Sequence, residues 1–347
     1  MFSKNLKYYR LMKDLSKKEL ADKVDVTPMA ISNYENGNRI PEMPIMKKIA
    51  EALGVRIADF LVVRNENIQF CHNEFRKGAS LSKEKQEFVR ESVEEYFSRF
   101  MDSVEILGGD VLPNVPECHT LKITHDVEQD ALALRKHLNF AVDGPIDDLI
   151  GKLENKGFLI FLHEIEDDKF SGINGFVNDR PYIMLNKKMS AERNRSTLVH
   201  ELAHLMFDWS SIELTEKQIE DYATAIGGAF LFPRTDVIRE LGIRRSGITH
   251  DMIMVAKEYG ISMMMLAKRA EVCSVISSFA LKHFYVLASQ LGWRKNEPSR
   301  IVAEKPLLFE QFVYRAINED EISIQRGAEL LKIPYAQVAV NCCFNEG

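Results

Sequence analysis

Residues 197–208 read TLVHELAHLMFD. His200 and His204 are four residues apart, so on a helix their imidazoles project from one face about one turn apart and can bind one ion. Glu201 lies one position further round the helix, where its carboxylate can reach a water molecule at that ion without being a ligand. A separate apolar stripe can anchor the helix in a core; it consists of Leu198, Leu202 and Leu205. The H-E-x-x-H pattern therefore predicts a zinc site on a packed helix.

A catalytic zinc ion takes three protein ligands and keeps a fourth position open, so this site needs one more ligand. Glu220 is the candidate, in the stretch EKQIEDYATAIGGAFLFP at residues 216–233. It shares one helical face with small residues that let two helices approach closely; these are Ala223, Thr224, Gly227 and Gly228. If that face packs on the histidine helix, the Glu220 carboxylate completes the site. Otherwise Glu220 is a solvated surface residue, and the other candidate ligands are Glu213, Glu216 and Asp221.

The chemistry of such a site is hydrolysis. Zinc increases the acidity of water and polarises the scissile carbonyl. A nearby carboxylate, here Glu201, can accept the proton and later pass it to the leaving amine. Asp208 follows His204 by four residues; it either orients that imidazole or only ends the helix.

These stretches carry a resemblance to a known family. TLVHELAHLMF followed by EDYATAIGGAFLFP is similar to the ImmA/IrrE metallopeptidases, which show R-x-T-L-x-H-E-L-x-H and later E-x-x-A-x-x-x-x-x-x-L-x-x-P. Arg195, the upstream stretch SGINGFVNDRPYIMLN and the downstream stretch SMMMLAKR extend the resemblance. One departure is Ile226-Gly227, where the family commonly has Phe-Ala. The resemblance implies a zinc endopeptidase whose cofactor is Zn²⁺; its metal ligands would be His200, His204 and Glu220, with Glu201 as the general base.

The N-terminal part has a different charge from the rest of the chain. Residues 1–65 carry a net charge of +4, whereas the whole chain carries −6. Within them, Ser16 and Glu19 form a capping-box pattern that predicts a helix start, and Thr27 followed by Pro28 predicts another. A basic unit of short helices separated by tight turns indicates contact with a polyanion and is typical of helix-turn-helix domains.

The stretch SKKELADKVDVTPMAISNYENGNRIPEMPIMKKIAEALGV also resembles Xre/Cro-type helix-turn-helix domains, across about residues 4–62. The resemblance implies that the helix starting at Thr27 enters the major groove of double-stranded DNA. The side chains expected in the groove are Thr27, Met29, Ser32 and Asn33, and those expected at phosphates are Lys17, Lys18 and Arg39. Lys17 stands where such domains often carry glutamine, so the operator is expected to differ.

The chain of 347 residues is long enough for two or three domains. We expect a mainly α protein with a small α+β part. An N-terminal helix-turn-helix bundle should span residues 1–65, followed by an arm and linker helix at 66–115. A zincin-like metallopeptidase domain with a short antiparallel sheet should span 116–292, and a helical C-terminal extension 293–347.

Two β-rich runs, at residues 158–162 and 181–186, flank the turn-rich stretch SGINGFVNDR and predict a hairpin or meander. Residues 182–186 either present an exposed edge, on which an extended peptide pairs as an added strand, or merely complete the sheet.

The sequence thus predicts a DNA-binding transcriptional regulator fused to a zinc endopeptidase whose activity is conditional. Its partners would be a DNA operator and a protein substrate of the helix-turn-helix repressor type, in a mobile-element, stress or toxin-antitoxin circuit. The alternative is a non-proteolytic regulator or antitoxin whose peptidase-like domain senses a ligand or partner. No stretch reaches the roughly 18 apolar residues of a membrane helix, and the five cysteines include no C-x-x-C pair. We therefore expect a cytoplasmic homodimer without a membrane partner.

Overall fold

A computed structural model describes residues 1–65, 67–72, 81–293 and 296–342. Its helices are α1 (Phe2–Met12), α2 (Lys17–Val24), α3 (Pro28–Glu35), α4 (Met43–Leu53), α5 (Ile57–Phe60), α6 (Lys83–Ile106), α7 (Val127–His137), α8 (Leu149–Glu154), α9 (Ala191–Met206), α10 (Glu216–Leu231), α11 (Arg234–Leu241), α12 (Met252–Tyr259), α13 (Met263–Val272), α14 (Ser278–Gln290), α15 (Leu308–Asn318), α16 (Ile324–Leu331) and α17 (Tyr335–Cys342). Its strands are β1 (Phe70–His72), β2 (Leu159–His163), β3 (Gly172–Val177) and β4 (Arg180–Asn186). The expected fold class, mainly α with a small α+β part, is confirmed.

The chain divides into two compact units. Within the described residues, unit 1 comprises Met1–Phe70, Glu74–Asp110 and Phe309–Gly347, and unit 2 comprises Cys71–Asn73 and Val111–Leu308. The four predicted segments with boundaries near residues 65, 115 and 292 stay a prediction. No helix among the described residues is both long and apolar enough to cross a membrane.

The start of unit 1 forms the helices that the sequence predicts. Ser16 caps α2 in a reciprocal capping box with Glu19, and Asp25 ends it in the left-handed conformation (φ 60°). The Thr27 side chain caps α3 by accepting from the amide of Ala30 (3.2 Å), and proline occupies the first helical position. The tight turn between α2 and α3 is therefore specified by local residues.

A buried ion pair ties α1 to α3. Arg10 and Glu35 are 3% and 7% exposed, and Arg10 Nη2 donates to Glu35 Oε2 at 3.1 Å. Around them, α1 to α5 bury an apolar core that includes Leu20, Ile31 and Ile49. Burying two charges is tolerated because they pair with good geometry.

The later helices of unit 1 are joined by a second ion-pair group. Glu95 on α6 lies 2.8 Å from Arg99 Nε and 2.7 Å from Lys332 Nζ, just after α16. Burial by itself would raise the pKa of Glu95, but Arg99 and Lys332 lower it to about 2. Glu95 is therefore charged at neutral pH and holds the C-terminal helices on α6.

The sheet of unit 2 is mixed rather than antiparallel. β3 pairs antiparallel with β4, whereas β2 pairs parallel with β4, with Leu159 opposite Tyr182. The turn-rich stretch SGINGFVNDR, predicted to separate the two β-rich runs in a hairpin or meander, itself forms β3 over most of its length. The turn itself is confined to Asn178 and Asp179, both with positive φ.

The strand order in the sheet is β1-β3-β4-β2. β4 is therefore an interior strand, paired on both sides, and the interpretation of residues 182–186 as an exposed edge is wrong. The edge strands are β1 and β2.

The core of unit 2 lies between the sheet and helices that both precede and follow strands β2 to β4 in the sequence. The three leucines predicted to anchor the histidine helix, Leu198, Leu202 and Leu205, are all fully buried there. Members of α7, α8, α10 and α13 pack into the same cluster. The face of α9 that carries the histidines is thereby held in a fixed orientation.

Glu154 at the end of α8 links this core to the end of unit 2. Glu154 is 6% exposed, and its carboxylate accepts hydrogen bonds from the amides of Leu307 (2.9 Å) and Leu308 (3.3 Å). Burial raises the pKa of Glu154 from 4.5 to about 7, which outweighs the opposite effect of the two amides. The folded chain therefore binds a proton that the unfolded chain releases, so stability falls as the pH rises from about 4.5 to about 7.

We expect Glu154→Gln to remove this pH dependence while keeping an acceptor oxygen. Relative to the variant, the wild-type chain should lose about 1–3 kcal/mol of unfolding free energy between pH 5 and pH 8. Urea unfolding at both pH values measures the difference, and Glu117→Gln, at an exposed position, is the matched control. An equal pH dependence of wild type and Glu154→Gln would contradict the assignment.

Candidate functional site

The histidine pair is positioned by α9. Ser190 caps this helix by accepting from the amide of Arg193, and Glu192 lies in its first turn, where a negative charge favours the helix dipole. The imidazoles of His200 and His204 lie one turn apart, on a different stripe from the buried leucines. His200 is only 8% exposed, so the site lies at the edge of the core and not on the outer surface.

Three potential ligand residues meet at this place. The Nε2 atoms of His200 and His204 are 3.2 Å apart. The two carboxylate oxygens of Glu220 lie 3.2 Å from His200 Nε2 and 3.3 Å from His204 Nε2. Ligands bound to tetrahedral zinc at about 2.0–2.1 Å lie about 3.3 Å from one another. Two imidazoles and one carboxylate therefore fit a zinc ion in both chemistry and spacing.

The small face of α10 brings Glu220 to the histidines. Ala223 is fully buried, and a Cβ atom placed on Gly227 would lie 3.6 Å from the amide nitrogen of His200. The two helices therefore approach almost backbone to backbone. That distance is an ordinary van der Waals contact, so the alanine common at this position in the ImmA/IrrE pattern would also fit, and the departure leaves the site intact.

Thr224, on the same face of α10, contacts the far side of one imidazole. Its Oγ1 lies 3.1 Å from His200 Nδ1. A histidine that binds metal through Nε2 carries its proton on Nδ1, and a partner there fixes the tautomer and the ring orientation. The sequence singled out Thr224 only as a small residue; its position one turn after Glu220 was the signal for this second role.

Glu201 is held on the sheet side of α9. It is 6% exposed, and the side-chain amide of Asn174 donates to its Oε2 at 2.7 Å. Asn174 belongs to β3 and is 4% exposed. The sequence did not single out Asn174, because it lies in a turn-rich stretch without a recognisable site pattern. The bond fixes the orientation of the Glu201 carboxylate beside the histidine pair.

The alternative ligands do not join the cluster. Among the residues that the structure describes, the metal-type group near α9 comprises His200, His204 and Glu220 and not the exposed residues Glu213, Glu216 and Asp221. Asp208 follows α9, and the described hydrogen bonds of its carboxylate go to Ser210 and not to His204. It accepts from the hydroxyl and amide of Ser210, which lowers its pKa, and it caps the short 3-10 helix Trp209–Ser211.

The residues predicted to face DNA lie on and around α2 and α3 of unit 1; they are Lys17, Lys18, Thr27, Met29, Ser32, Asn33 and Arg39. Met29 is an apolar side chain that is 69% exposed, and Lys18 and Arg39 are exposed as well. An exposed methionine on a short helix, in a unit that also exposes Lys18 and Arg39, suits a groove-facing surface. The roles of these residues at DNA stay predictions.

Lys17 and Ser32, two residues predicted to contact DNA, also contact each other. Lys17 Nζ lies 3.4 Å from Ser32 Oγ and 3.6 Å from Glu35 Oε2. The buried Arg10–Glu35 pair thus extends to the surface through Lys17. Thr27 uses its hydroxyl as the cap of α3, so in this conformation its methyl group is the part left for a groove contact.

Two family matches cover these regions. Residues 6–60 match the family described as helix-turn-helix, and residues 154–271 match the family described as the IrrE N-terminal-like domain. The second match contains the whole of α9 and α10 with the residues described above.

Relatives similar to part of this chain include helix-turn-helix proteins. YqaE of Bacillus subtilis, an uncharacterised helix-turn-helix-type transcriptional regulator, is 35% identical over 77 residues, which are 22% of this chain and 66% of that protein. A second uncharacterised regulator of this type, from Methanocaldococcus jannaschii, is 34% identical over 61 residues, 18% of this chain and 92% of that protein. Multiprotein-bridging factor 1 of Candida albicans is 41% identical over 54 residues, 16% of this chain and 36% of that protein. This chain therefore spans just under two thirds of the Bacillus protein and about a third of the Candida protein.

Replacing Thr224 tests whether its hydroxyl orients His200. We expect Thr224→Val to raise the dissociation constant for Zn²⁺ by about 10- to 100-fold, because the Nδ1 partner at 3.1 Å is lost. Competition of the full chain with a chromophoric chelator measures the constant. Thr224→Ser keeps the hydroxyl and should stay near wild type; an unchanged affinity in Thr224→Val would argue against the role.

Proposed function

We propose that this chain, which belongs to the helix-turn-helix family of transcriptional regulators and carries an IrrE N-terminal-like domain at residues 154–271, is a DNA-binding regulator with zinc-dependent endopeptidase activity. The family matches themselves support a DNA-binding regulator with a peptidase-like domain. The zinc ion, the catalytic step and the substrate are the proposed part.

One observation carries the proposal. One potential ligand atom from each of His200, His204 and Glu220 lies within 4.8 Å of the other two, while Glu201 on α9 accepts a hydrogen bond from Asn174. A structural zinc site would use a fourth protein ligand. Three converging ligands with a separate carboxylate beside them instead suit hydrolysis.

Different residues of the chain would bind the metal ion and transfer the proton. His200, His204 and Glu220 would hold the ion, with Thr224 fixing the ring of His200. When bound, zinc would increase the acidity of water and polarise the scissile carbonyl. Glu201 accepts a proton from the attacking water, whose oxygen forms a bond with the carbonyl carbon of the peptide. The C–N bond then breaks, and Glu201 passes the proton to the departing amine nitrogen.

The proposed substrate is a protein of the helix-turn-helix repressor type, in a mobile-element, stress or toxin-antitoxin circuit. The fusion of a regulator domain to a peptidase-like domain supports this class, because it places both activities on one polypeptide. In unit 1, the exposed Met29 and the cations Lys18 and Arg39 support binding to an operator by the major groove. A homodimer on that operator remains a prediction.

Glu201→Gln separates metal binding from catalysis. The variant should keep one equivalent of zinc and lose cleavage by about 100- to 10,000-fold, because glutamine cannot accept the proton. Metal analysis measures the zinc content. Gel electrophoresis measures the cleavage of purified helix-turn-helix repressors whose genes lie near the gene for this chain. Glu213→Gln, at an exposed position, is the control. Unaltered regulation by Glu201→Gln in cells would favour the alternative, a non-proteolytic regulator that senses a ligand or partner.

Arg39 tests the predicted phosphate contacts. We expect Arg39→Ala to weaken binding to a random-sequence duplex and to reduce the slope of log K against log salt concentration by about 1, because one counterion fewer is released. Fluorescence anisotropy at several salt concentrations measures both. Lys122→Ala removes an exposed cation of unit 2 and should change neither; a slope unaffected by Arg39→Ala would remove it from the interface.

A further inference from the structure

The sheet beside Glu201 contains a strand, β1, that the sequence pattern does not predict. β1 occupies the side of β3 that faces away from β4. Its residues Cys71 and His72 belong to unit 2, although they precede the rest of that unit by almost forty positions in the sequence. The free edge of β3 is thus taken up by a short extended segment of the same chain.

The backbone of this segment lies very close to β3. A Cβ atom placed on Gly175 would lie 2.4 Å from the carbonyl oxygen of Cys71, far inside a normal contact. Only glycine allows this approach without a shift. The position of Gly175 in β3 is therefore matched to a second strand lying against it.

The Tyr182 side chain on β4 contacts this segment across Gly175. The contact between Tyr182 and His72 is called the clasp below. Tyr182 is the cross-strand partner of Gly175, and its ring passes so close that the same Cβ would lie 2.7 Å from it. Its hydroxyl reaches His72 Nδ1 at 2.7 Å. Tyr182 is fully buried, whereas Cys71 is exposed, so the bond anchors an otherwise peripheral segment to the core.

The clasped edge lies next to the proposed chemistry. Asn174, which donates to Glu201, immediately precedes Gly175 in β3. An extended peptide reaches Glu201 most directly by pairing with β3, because main-chain hydrogen bonds to an exposed strand are a common way to hold such peptides. The position for that pairing is the one that Cys71 and His72 occupy.

We propose that residues 71–72 are an intramolecular occupant of the peptide-binding edge of β3, and that the chain must release them before an extended substrate segment pairs there. This inference rests on the proposed endopeptidase function for its consequence, since release would then set the rate of cleavage. The clasp between His72 and Tyr182 holds the occupied state. The expected partner is therefore an unfolded or extended stretch of protein, and not a folded surface.

Two variants remove the clasp from opposite ends, His72→Ala and Tyr182→Phe. In the zinc-loaded full chain, each should raise amide hydrogen exchange across residues 172–177 by about three- to tenfold, which is the effect expected from loss of one hydrogen bond. The double variant should exchange no faster than His72→Ala alone, because the Tyr182 hydroxyl acts on the segment through its bond to His72. His283→Ala, an exposed histidine of unit 2, should leave the exchange unchanged.

Binding of a strand in trans provides a readout that does not need turnover. The probe is a fluorescein-labelled peptide with the sequence of residues 67–72, NIQFCH, added to the full chain carrying Glu201→Gln. Adding His72→Ala to that background should tighten binding of the probe by about three- to tenfold, since the internal competitor is weakened. Equal affinity in the two backgrounds, or unchanged exchange in both clasp variants, would overturn the inference.

Cleavage separates this inference from the function on which it rests. If the chain cleaves a repressor in a Glu201-dependent manner, His72→Ala should raise kcat/KM by a similar factor, and an unchanged kcat/KM would overturn the inference while the peptidase stands. If no variant cleaves but His72→Ala still tightens binding of NIQFCH, the endopeptidase function fails and the occupied edge of β3 stands as a binding site for extended peptides.

Discussion

The chemistry of unit 2 depends on the close approach of α9 and α10. At Gly227 the two backbones come near enough that the Glu220 carboxylate, about two turns away, lies between the two imidazoles of α9. Polar groups at the edge of a core are costly unless they are paired, and here they pair with each other and with Thr224. The leucine stripe on the opposite side of α9 fixes its rotation, so the position of the three potential ligands follows from packing and not from loops.

In unit 1, as in unit 2, the packing of helices positions the residues that have a predicted function. Its short helices bury an apolar core together with one ion pair, Arg10 and Glu35, and that pair continues to the surface through Lys17. The exposed part of α3 is then free for recognition, with Met29 outward and the capping Thr27 at its start. The buried Glu35 that stabilises the fold thus also positions Lys17, one of the cations expected at DNA.

The sequence allowed prediction of those features that depend on neighbours along the chain. The capping box of Ser16 and Glu19, the histidines four apart and the helical face of Glu220 all follow from helical periodicity, and the structure contains each of them. It did not predict β3, because Gly172, Asn174 and Gly175 favour turns when taken alone and form a strand only through pairing with β4. The parallel pairing of β2 and the three-residue β1 are likewise set by partners distant in sequence. For this reason the contact of Asn174 with Glu201 and that of Tyr182 with His72 were not predicted, although the role of Glu201 was.

The most direct test of the central claim is zinc K-edge X-ray absorption on the full chain loaded with one equivalent of Zn²⁺. The arrangement of His200, His204 and Glu220 predicts scattering from two imidazoles and only nitrogen or oxygen neighbours at about 2.0–2.1 Å. A sulfur neighbour at about 2.3 Å, or an oxygen shell without imidazole scattering, would place the ion elsewhere and contradict the account.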